Sequence, residues 1–256
     1  MIKLLIIDGF NLIRRIHSAV PGDENTDKHA AGVVQSIGAS VARAIKKQQP
    51  THAVCVLESN ASTWRHAIYD AYKQGRKPQP TALLDNLPNI IEALQQQHVA
   101  QVSVELAEAD DVIASIANKF EGSANQCLIL STDHLLAQLL SNNTRQYDHF
   151  GGAPIDHLFI QQRYGISTAQ MVDYFSLCGS SSLNIPGVAG VGSKTAAKLM
   201  NEYGDLESVL DNIDKLKGKL KEQIIKSADL LALYKRLFTL ERNIHLNNNL
   251  KQWRLN

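Results

Sequence analysis

The sequence predicts an α/β fold with a parallel sheet, followed by a helical domain. Three apolar, β-branched runs are typical of buried strands, and a helical pattern separates each run from the next. The strand runs cover residues 3–7, 53–57 and 127–130, and the helical patterns cover residues 33–47, 82–97 and 111–119. This alternation favours a parallel sheet covered by helices. After Gly151-Gly152-Ala153-Pro154 the pattern becomes all-helical.

We therefore expect two domains. Residues 1–158 should form the α/β domain, with an arch region at about 64–98, and residues 159–256 should form the helical domain. After Pro154, amphipathic patterns predict helices at residues 155–164, 169–177, 194–203 and 206–210, and from 218 or 219 towards 238.

Composition excludes several classes of protein. The 256 residues are 44% hydrophobic and 20% charged, as in ordinary folded proteins. There is no apolar run of about eighteen residues and no signal peptide, so we expect no membrane association. Cys55, Cys127 and Cys178 are widely spaced, which favours reduced thiols in the cytoplasm over a disulfide framework or structural zinc.

Acidic residues follow each predicted strand and precede one predicted helix. In parallel sheets, ligands bind outside the carboxyl ends of the strands. A single acid there is usually a turn former or a helix cap, but several converging carboxylates repel one another unless a cation screens them. Oxygen ligands of this kind suit Mg²⁺ or Mn²⁺. The acids are Asp8, Glu58, Glu108, Asp110, Asp111 and Asp133.

A basic and aromatic stretch lies between the second strand and the acidic run. Such a stretch can contact nucleic acid, with cations for phosphates and rings for unstacked bases. A solvated loop with a few core aromatics is an equally open alternative. Pro78 and Pro80 interrupt helix there, and the next helix should start near Thr81. The residues are Trp64, Arg65, Tyr69, Tyr72, Lys73, Arg76 and Lys77.

A glycine-rich hairpin occupies the helical part, in the run Pro186-Gly187-Val188-Ala189-Gly190-Val191-Gly192-Ser193-Lys194-Thr195. Its glycines permit a tight turn, and Ser193 is the expected cap of the next helix. Backbone N–H groups at that helix start, with Lys194, can bind a phosphate. A purely structural hairpin stays open. A nucleotide-binding P-loop is excluded, because Ser193 stands where its lysine must be.

Together these motifs resemble the flap endonuclease, or 5′-3′ exonuclease, family, which includes phage 5′-nucleases and the N-terminal nuclease domains of bacterial DNA polymerase I. The resemblance runs in family order from residue 2 to about 240. It rests on Ile7-Asp8-Gly9, Trp64-Arg65-His66, Tyr72-Lys73-x-x-Arg76, Glu108-Ala109-Asp110-Asp111, Ser131-Thr132-Asp133 and the stretch from Asn184 to Thr195.

The resemblance implies roles for these residues. The six acids occupy metal positions, with Asp110 central, and Lys73 and Arg76 approach the scissile phosphate at the base of a helical arch. A helix-hairpin-helix at 184–200 grips the duplex. K⁺ binds there through the carbonyls of Leu177, Cys178, Pro186, Val188 and Val191. The residues implied to contact DNA are Gly190, Val191, Gly192, Ser193, Lys194 and Thr195, and also Arg65, Tyr72, Lys73 and Arg76.

Three positions depart from the polymerase-linked members, which carry Asp where this chain has Leu135, Ser180 and Leu183. The departures are similar to those of small stand-alone bacterial members of the family. They imply one tightly held divalent ion centred on Asp110, and a second, weaker one near Asp133.

The expected function is Mg²⁺-dependent endonucleolytic removal of 5′ DNA flaps at duplex junctions in replication and repair, by a monomer. Accompanying 5′-3′ exonuclease activity stays open. One alternative is a DNA junction-binding paralogue with weak or lost catalysis, motivated by Leu135, Ser180 and Leu183. Another is a related metal-dependent ribonuclease, against which the hairpin domain argues.

Overall fold

The structure is a computed structural model that describes residues 1–24, 26–59, 62–76, 80–247 and 249–255. Two residues named above, Lys77 and Pro78, lie outside the described residues. Across the described part of the chain, no helix combines the length and the hydropathy that crossing a membrane requires.

The chain forms two compact units. The first comprises Met1–Ala61, Lys77–Pro154 and Glu241–Asn256, and the second comprises Ser62–Arg76 and Ile155–Leu240. Ser62–Arg76, at the start of the expected arch region, belongs to the second unit, and the C-terminal segment Glu241–Asn256 belongs to the first. The domain bounds given by the sequence stay a prediction.

A six-stranded sheet in the order β3-β2-β1-β4-β5-β6 organises the first unit. The strands are β1 Lys3–Asp8, β2 His52–Val56, β3 Ala100–Val102, β4 Gln126–Leu130, β5 Thr144–Asp148 and β6 Ala153–Ile155. The pairs β1–β2, β1–β4, β2–β3 and β4–β5 are parallel. The predicted parallel sheet is therefore confirmed. The strands that the sequence did not predict are short or, like the Thr-Arg-Gln-Tyr-Asp of β5, polar.

Eleven α-helices occur in the described residues. They are α1 Gly9–Ala19, α2 Asp27–Gln48, α3 Trp64–Ile68, α4 Thr81–Asp85, α5 Leu87–Gln95, α6 Ala109–Asn118, α7 His157–Tyr164, α8 Met171–Cys178, α9 Ser193–Tyr203, α10 Leu206–Asp211 and α11 Gly218–Phe238. Helices α3 and α7 to α11 belong to the second unit. Since a parallel sheet is followed by helices, the predicted fold class is confirmed.

The core of the first unit lies where α2 covers the sheet. Val33, Ile37 and Val41 recur at helical spacing and pack with the β1 residues Leu5 and Ile7 in one buried cluster. Burying such side chains is the main favourable contribution to folding.

The helix predicted over residues 82–97 is divided in the structure. Helix α4 ends at Asp85, Asn86 adopts φ −90° and ψ 0°, and α5 begins at Leu87. Pro88 follows at the start of α5, where its missing N–H costs nothing. The proline thus sets a helix start that hydrophobic periodicity does not show.

Candidate active site and nucleic-acid interface

Asp8 lies at the carboxyl end of β1 and is the N-cap of α1. One carboxylate oxygen, Oδ1, accepts a hydrogen bond from the backbone N–H of Asn11 at 3.2 Å. The other, Oδ2, accepts one from the Ser131 hydroxyl at 2.7 Å, and the residue is only 6% exposed. Asp8 is therefore a buried carboxylate fixed by two donors.

Burial raises the pKa of Asp8 from 3.8 to about 6. The hydrogen bonds from Ser131 and Asn11 oppose this rise, whereas the nearby charges of Asp133 and Glu58 add to it. Asp133 and Glu58 thus lie close enough to Asp8 for their charges to act on it, as expected for acids that follow the neighbouring parallel strands β4 and β2.

Glu58 and Asp133 each have a partner at this edge. Glu58 Oε2 forms an ion pair with Arg14 Nη2 at 3.2 Å. Asp133 Oδ1 accepts a hydrogen bond from the backbone N–H of Leu135 at 2.8 Å. Sequence patterns did not single out Arg14. The signal that could have identified Arg14 is its place in the helical pattern of α1, the helix that directly follows Asp8.

The acidic run lies at the start of α6, which begins at Ala109 with Glu108 as its N-cap. Glu108 is 3% exposed and Asp111 is fully buried, whereas Asp110 is half-buried. Asp111 Oδ1 accepts a hydrogen bond from the backbone N–H of Glu241 at 2.9 Å. The Asp111 carboxylate therefore anchors the C-terminal segment, which is a structural role that the sequence did not predict.

These oxygens fit a hard divalent cation by their chemistry. Among the described residues, no three carboxylate, imidazole or thiol groups come together closely enough to hold a metal ion unaided. Mg²⁺ does not need such a cage, because it commonly binds one or two carboxylates, several waters and substrate phosphates. We call the set Asp8, Glu58, Glu108, Asp110 and Asp133 the acidic rim.

The structure corrects the DNA-binding roles expected for Arg65 and Tyr72. Arg65 is 2% exposed, and its guanidinium donates from Nε to the Leu237 carbonyl at 2.8 Å and from Nη2 to the Thr239 carbonyl at 3.1 Å. Tyr72 is also buried, edge-on to the ring of His66. Side chains buried in this way do not face a ligand, so both residues pack within the second unit.

Lys73 and Arg76 lie in the turn that follows α3. Lys73 has φ +53°, and its backbone N–H donates to the Leu183 carbonyl at 2.9 Å. Asn184 Nδ2 donates to the Ala71 carbonyl at 2.7 Å. The turn is thus bound to the segment that precedes the glycine hairpin. The Arg76 side chain is exposed.

The glycine hairpin is built from close backbone contacts. A Cβ atom on Gly187, which has φ +67°, would lie 2.4 Å from the Gly179 nitrogen and 2.6 Å from the Leu177 oxygen. The backbone N–H of Val188 donates to that same oxygen at 2.8 Å. Only glycine can therefore occupy position 187 without displacing the neighbouring chain.

Helix α9 begins at Ser193, and its N-cap is Gly192. The expectation that Ser193 caps this helix is therefore wrong. No side chain caps the helix, and the predicted contact residues around its start are exposed, except that Thr195 is half-buried and Val191 is buried. The N–H groups of a first turn without a side-chain cap can bind an anion.

A sheet with an acidic carboxyl edge and a helical hairpin unit together define a class of nuclease, and the chain belongs to the 5′-3′ exonuclease family. The model of its N-terminal resolvase-like domain matches residues 3–169, and that of its C-terminal SAM fold matches residues 166–256. The resemblance to this family is therefore confirmed.

Relatives named Flap endonuclease Xni match over nearly their whole length. That of Shewanella frigidimarina is 39% identical, covering 100% of this chain and 98% of its own. That of Psychromonas ingrahamii is also 39% identical, covering 98% and 96%. A solved T5 5′-exonuclease with bound zinc has a TM-score of 0.78 at 20% identity, covering 93% of this chain and 90% of its own. A T5 flap endonuclease solved with DNA and metal ions has a TM-score of 0.75 at 21% identity, covering 94% and 89%. These two likenesses support the fold.

Proposed function

We propose that the protein is a divalent-metal-dependent endonuclease that removes 5′ flaps from DNA at single-strand/duplex junctions, in replication and repair. The observation that carries the proposal is the buried Asp8 carboxylate at the carboxyl end of β1, with the charges of Glu58 and Asp133 nearby, in a chain that also contains the glycine hairpin. The full-length relatives named flap endonuclease support the same activity.

We assign the divalent ion, Mg²⁺ or Mn²⁺, to the acidic rim with Asp110 as the central ligand. Asp110 is favoured because Glu108 and Asp111 are buried and Asp111 binds the Glu241 backbone. A divalent ion there supplies Lewis-acid chemistry, which withdraws charge from a phosphate and makes water a better nucleophile. Glu58 pairs with Arg14 through Oε2 alone, so a carboxylate with two acceptor oxygens keeps capacity for the ion.

Lys73 and Arg76 supply positive charge to the phosphate under attack. A fixed cation stabilises charge that develops in the transition state without a cost in reorganisation. Lys73 is suited to this role because the hydrogen bond from its backbone N–H to the Leu183 carbonyl fixes the turn that carries the side chain.

The hairpin binds duplex DNA through the N–H groups of Gly190 to Thr195 and the charge of Lys194. We propose that K⁺ binds the carbonyls of Leu177, Cys178, Pro186, Val188 and Val191. The Leu177 and Val188 carbonyls each accept a backbone hydrogen bond, at 2.8 and 2.9 Å. A carbonyl oxygen has two lone pairs, so these hydrogen bonds leave capacity for a large monovalent cation.

A DNA junction-binding protein without catalysis is the second candidate, favoured by three missing acids. Leu135 supplies a backbone N–H to Asp133, Ser180 forms a β-bridge with Ile185, and the Leu183 carbonyl accepts from Lys73. These positions thus make backbone contacts and offer no carboxylate to a second ion.

One assay separates the candidates. Purified protein should cut a 5′-flap DNA with Mg²⁺ and not with EDTA, and should cut the matching RNA flap more slowly. Tight binding of the DNA flap without cutting, under any divalent ion, would favour the binding protein. We place the protein in the cytoplasm as a monomer, consistent with Cys55, Cys127 and Cys178, all of which are free thiols.

A further inference from the structure

A cleft of about 430 Å³ lies in the first unit, between the end of α1, the middle of α2 and the turn that follows β5. One wall is apolar and includes Ile16, Val20 and Pro21. The other wall is polar apart from Phe150 and consists of Ser36, Ser40, Arg43, His149 and Phe150. We refer to it as the α2 cleft. The functional assignments above make no use of it.

Hydrogen bonds from α2 side chains hold the polar wall of the α2 cleft in place. Ser36, Ser40, Arg43 and Lys47 recur at spacings of four, three and four, so they share one face of α2. The Ser40 hydroxyl lies 2.6 Å from His149 Nε2. Lys47 Nζ donates a hydrogen bond to the Tyr147 hydroxyl. Side chains of α2 therefore fix both ends of the stretch from Tyr147 to His149.

The cleft is electropositive. Burial lowers the pKa of His149, and the charges of Arg43 and Lys47 lower it further, since both cations lie near the imidazole. Asp148 acts in the opposite direction, but its Oδ1 accepts hydrogen bonds from the two backbone N–H groups that follow, at 2.8 and 2.9 Å. That carboxylate is therefore held within the turn.

A line of contacts joins the cleft to the acidic rim. Arg15 Nη1 donates to the hydroxyl of Thr132 at 3.3 Å, and Thr132 immediately precedes Asp133. The same guanidinium lies 4.7 Å from the centre of the Phe150 ring, at the edge of the cleft. Phe150 is 38% exposed. A strand leaving the rim would thus meet first a cation and then an aromatic face.

We propose that the α2 cleft binds a backbone phosphate of the DNA strand that passes the acidic rim, with the adjacent base against Phe150. The ligand class rests on the proposed function, which makes DNA the substrate. Arg43 contacts the phosphate, because a guanidinium matches phosphate oxygens in geometry and charge. The face of the Phe150 ring that Arg15 does not cover offers a sequence-independent stacking surface for a base.

The test measures binding of a fluorescent 5′-flap DNA to the full-length protein over a series of salt concentrations. Arg43→Gln should weaken binding about tenfold and reduce the slope of log affinity against log salt by about one, as expected for one lost phosphate contact. Arg145→Gln is the matched control: it removes the same charge near the other end of β5, where Arg145 is exposed, and should change neither quantity.

Phe150→Leu separates stacking from charge. It should weaken binding about fivefold while leaving the salt slope unchanged, because no charge is removed. The α2 assignment is overturned if Arg43→Gln behaves like Arg145→Gln while the wild-type protein binds and cuts the flap. It is also overturned if Arg43→Gln weakens binding of a deoxynucleoside monophosphate but leaves flap binding intact, since the cleft would then hold a free anion. Failure of the wild-type protein to bind or cut any flap would instead contradict the proposed function.

Discussion

The acidic rim and the glycine hairpin, the two regions proposed to engage DNA, are built by different means. The rim presents carboxylate side chains, and burial together with the nearby charges of Asp133 and Glu58 raises the pKa of Asp8. The hairpin presents backbone groups, and the Cβ position of its Gly187 is filled by neighbouring backbone. A site built from side chains tolerates changes in the loops around it, but it loses function when one carboxylate is removed. A backbone site has no essential side chain but depends on a single allowed conformation.

The largest effect should follow from the loss of one rim carboxylate. Asp110→Asn should reduce the rate of flap cutting with Mg²⁺ by about a thousandfold or more, because the substituted amide carries no charge for the cation. Flap binding should stay within about threefold of wild type, since the hairpin is unchanged. Glu105→Gln, which neutralises an exposed acid three residues before Glu108, is the control and should retain activity. Full activity of Asp110→Asn would contradict the metal assignment.

A change at a backbone position should disrupt the hairpin without altering any charged residue. Gly187→Ala forces a Cβ to within 2.4 Å of the Gly179 nitrogen at a φ of +67°. We expect the free energy of unfolding to fall by about 2–4 kcal/mol and flap binding to fall with it. Gly192→Ala is the matched control, because φ there is −92° and no atom lies within 4 Å of the added carbon. Equal denaturation midpoints for the two variants would show that the close contact is not required.

Asp8 should make the stability of the metal-free protein depend on pH. A folded-state pKa of about 6, raised from 3.8, means that the folded protein binds this proton more tightly than the unfolded chain. Its contribution therefore favours folding below pH 4 and is lost as the pH rises through 6. Asp8→Asn should then stabilise the metal-free protein at pH 8 by about 1–3 kcal/mol and have little effect near pH 4. Chemical denaturation in EDTA at both pH values measures this, and destabilisation at pH 8 would contradict the cause given for the pKa.

The smallest effect should come from one cation at the hairpin. Lys194→Gln should weaken flap binding several-fold and reduce the salt slope by about one. Lys226→Gln on α11, also exposed, is the control and should leave the slope unchanged. An unchanged slope in Lys194→Gln would remove Lys194 from the interface.

The contrast between the two regions explains what the sequence could predict. Helix α9 and the hairpin were predictable, because glycine spacing and helical periodicity are local properties. The direction in which Asp111 points was not, because its partner, the Glu241 backbone, is 130 residues away. The residue type of Arg65 suggested a phosphate contact. Its guanidinium instead donates hydrogen bonds to the carbonyls of Leu237 and Thr239. Residue type predicts chemistry, whereas long-range packing decides which groups remain available.

The most direct measurement is a titration of the purified, DNA-free protein with Mn²⁺, in which free Mn²⁺ is followed by electron paramagnetic resonance. If the acidic rim holds the ion through Asp110, one Mn²⁺ should bind tightly per chain. That binding should be lost in Asp110→Asn and retained in Glu105→Gln and Gly192→Ala. Two equally tight ions, or tight binding that persists in Asp110→Asn, would contradict a single metal site centred on Asp110.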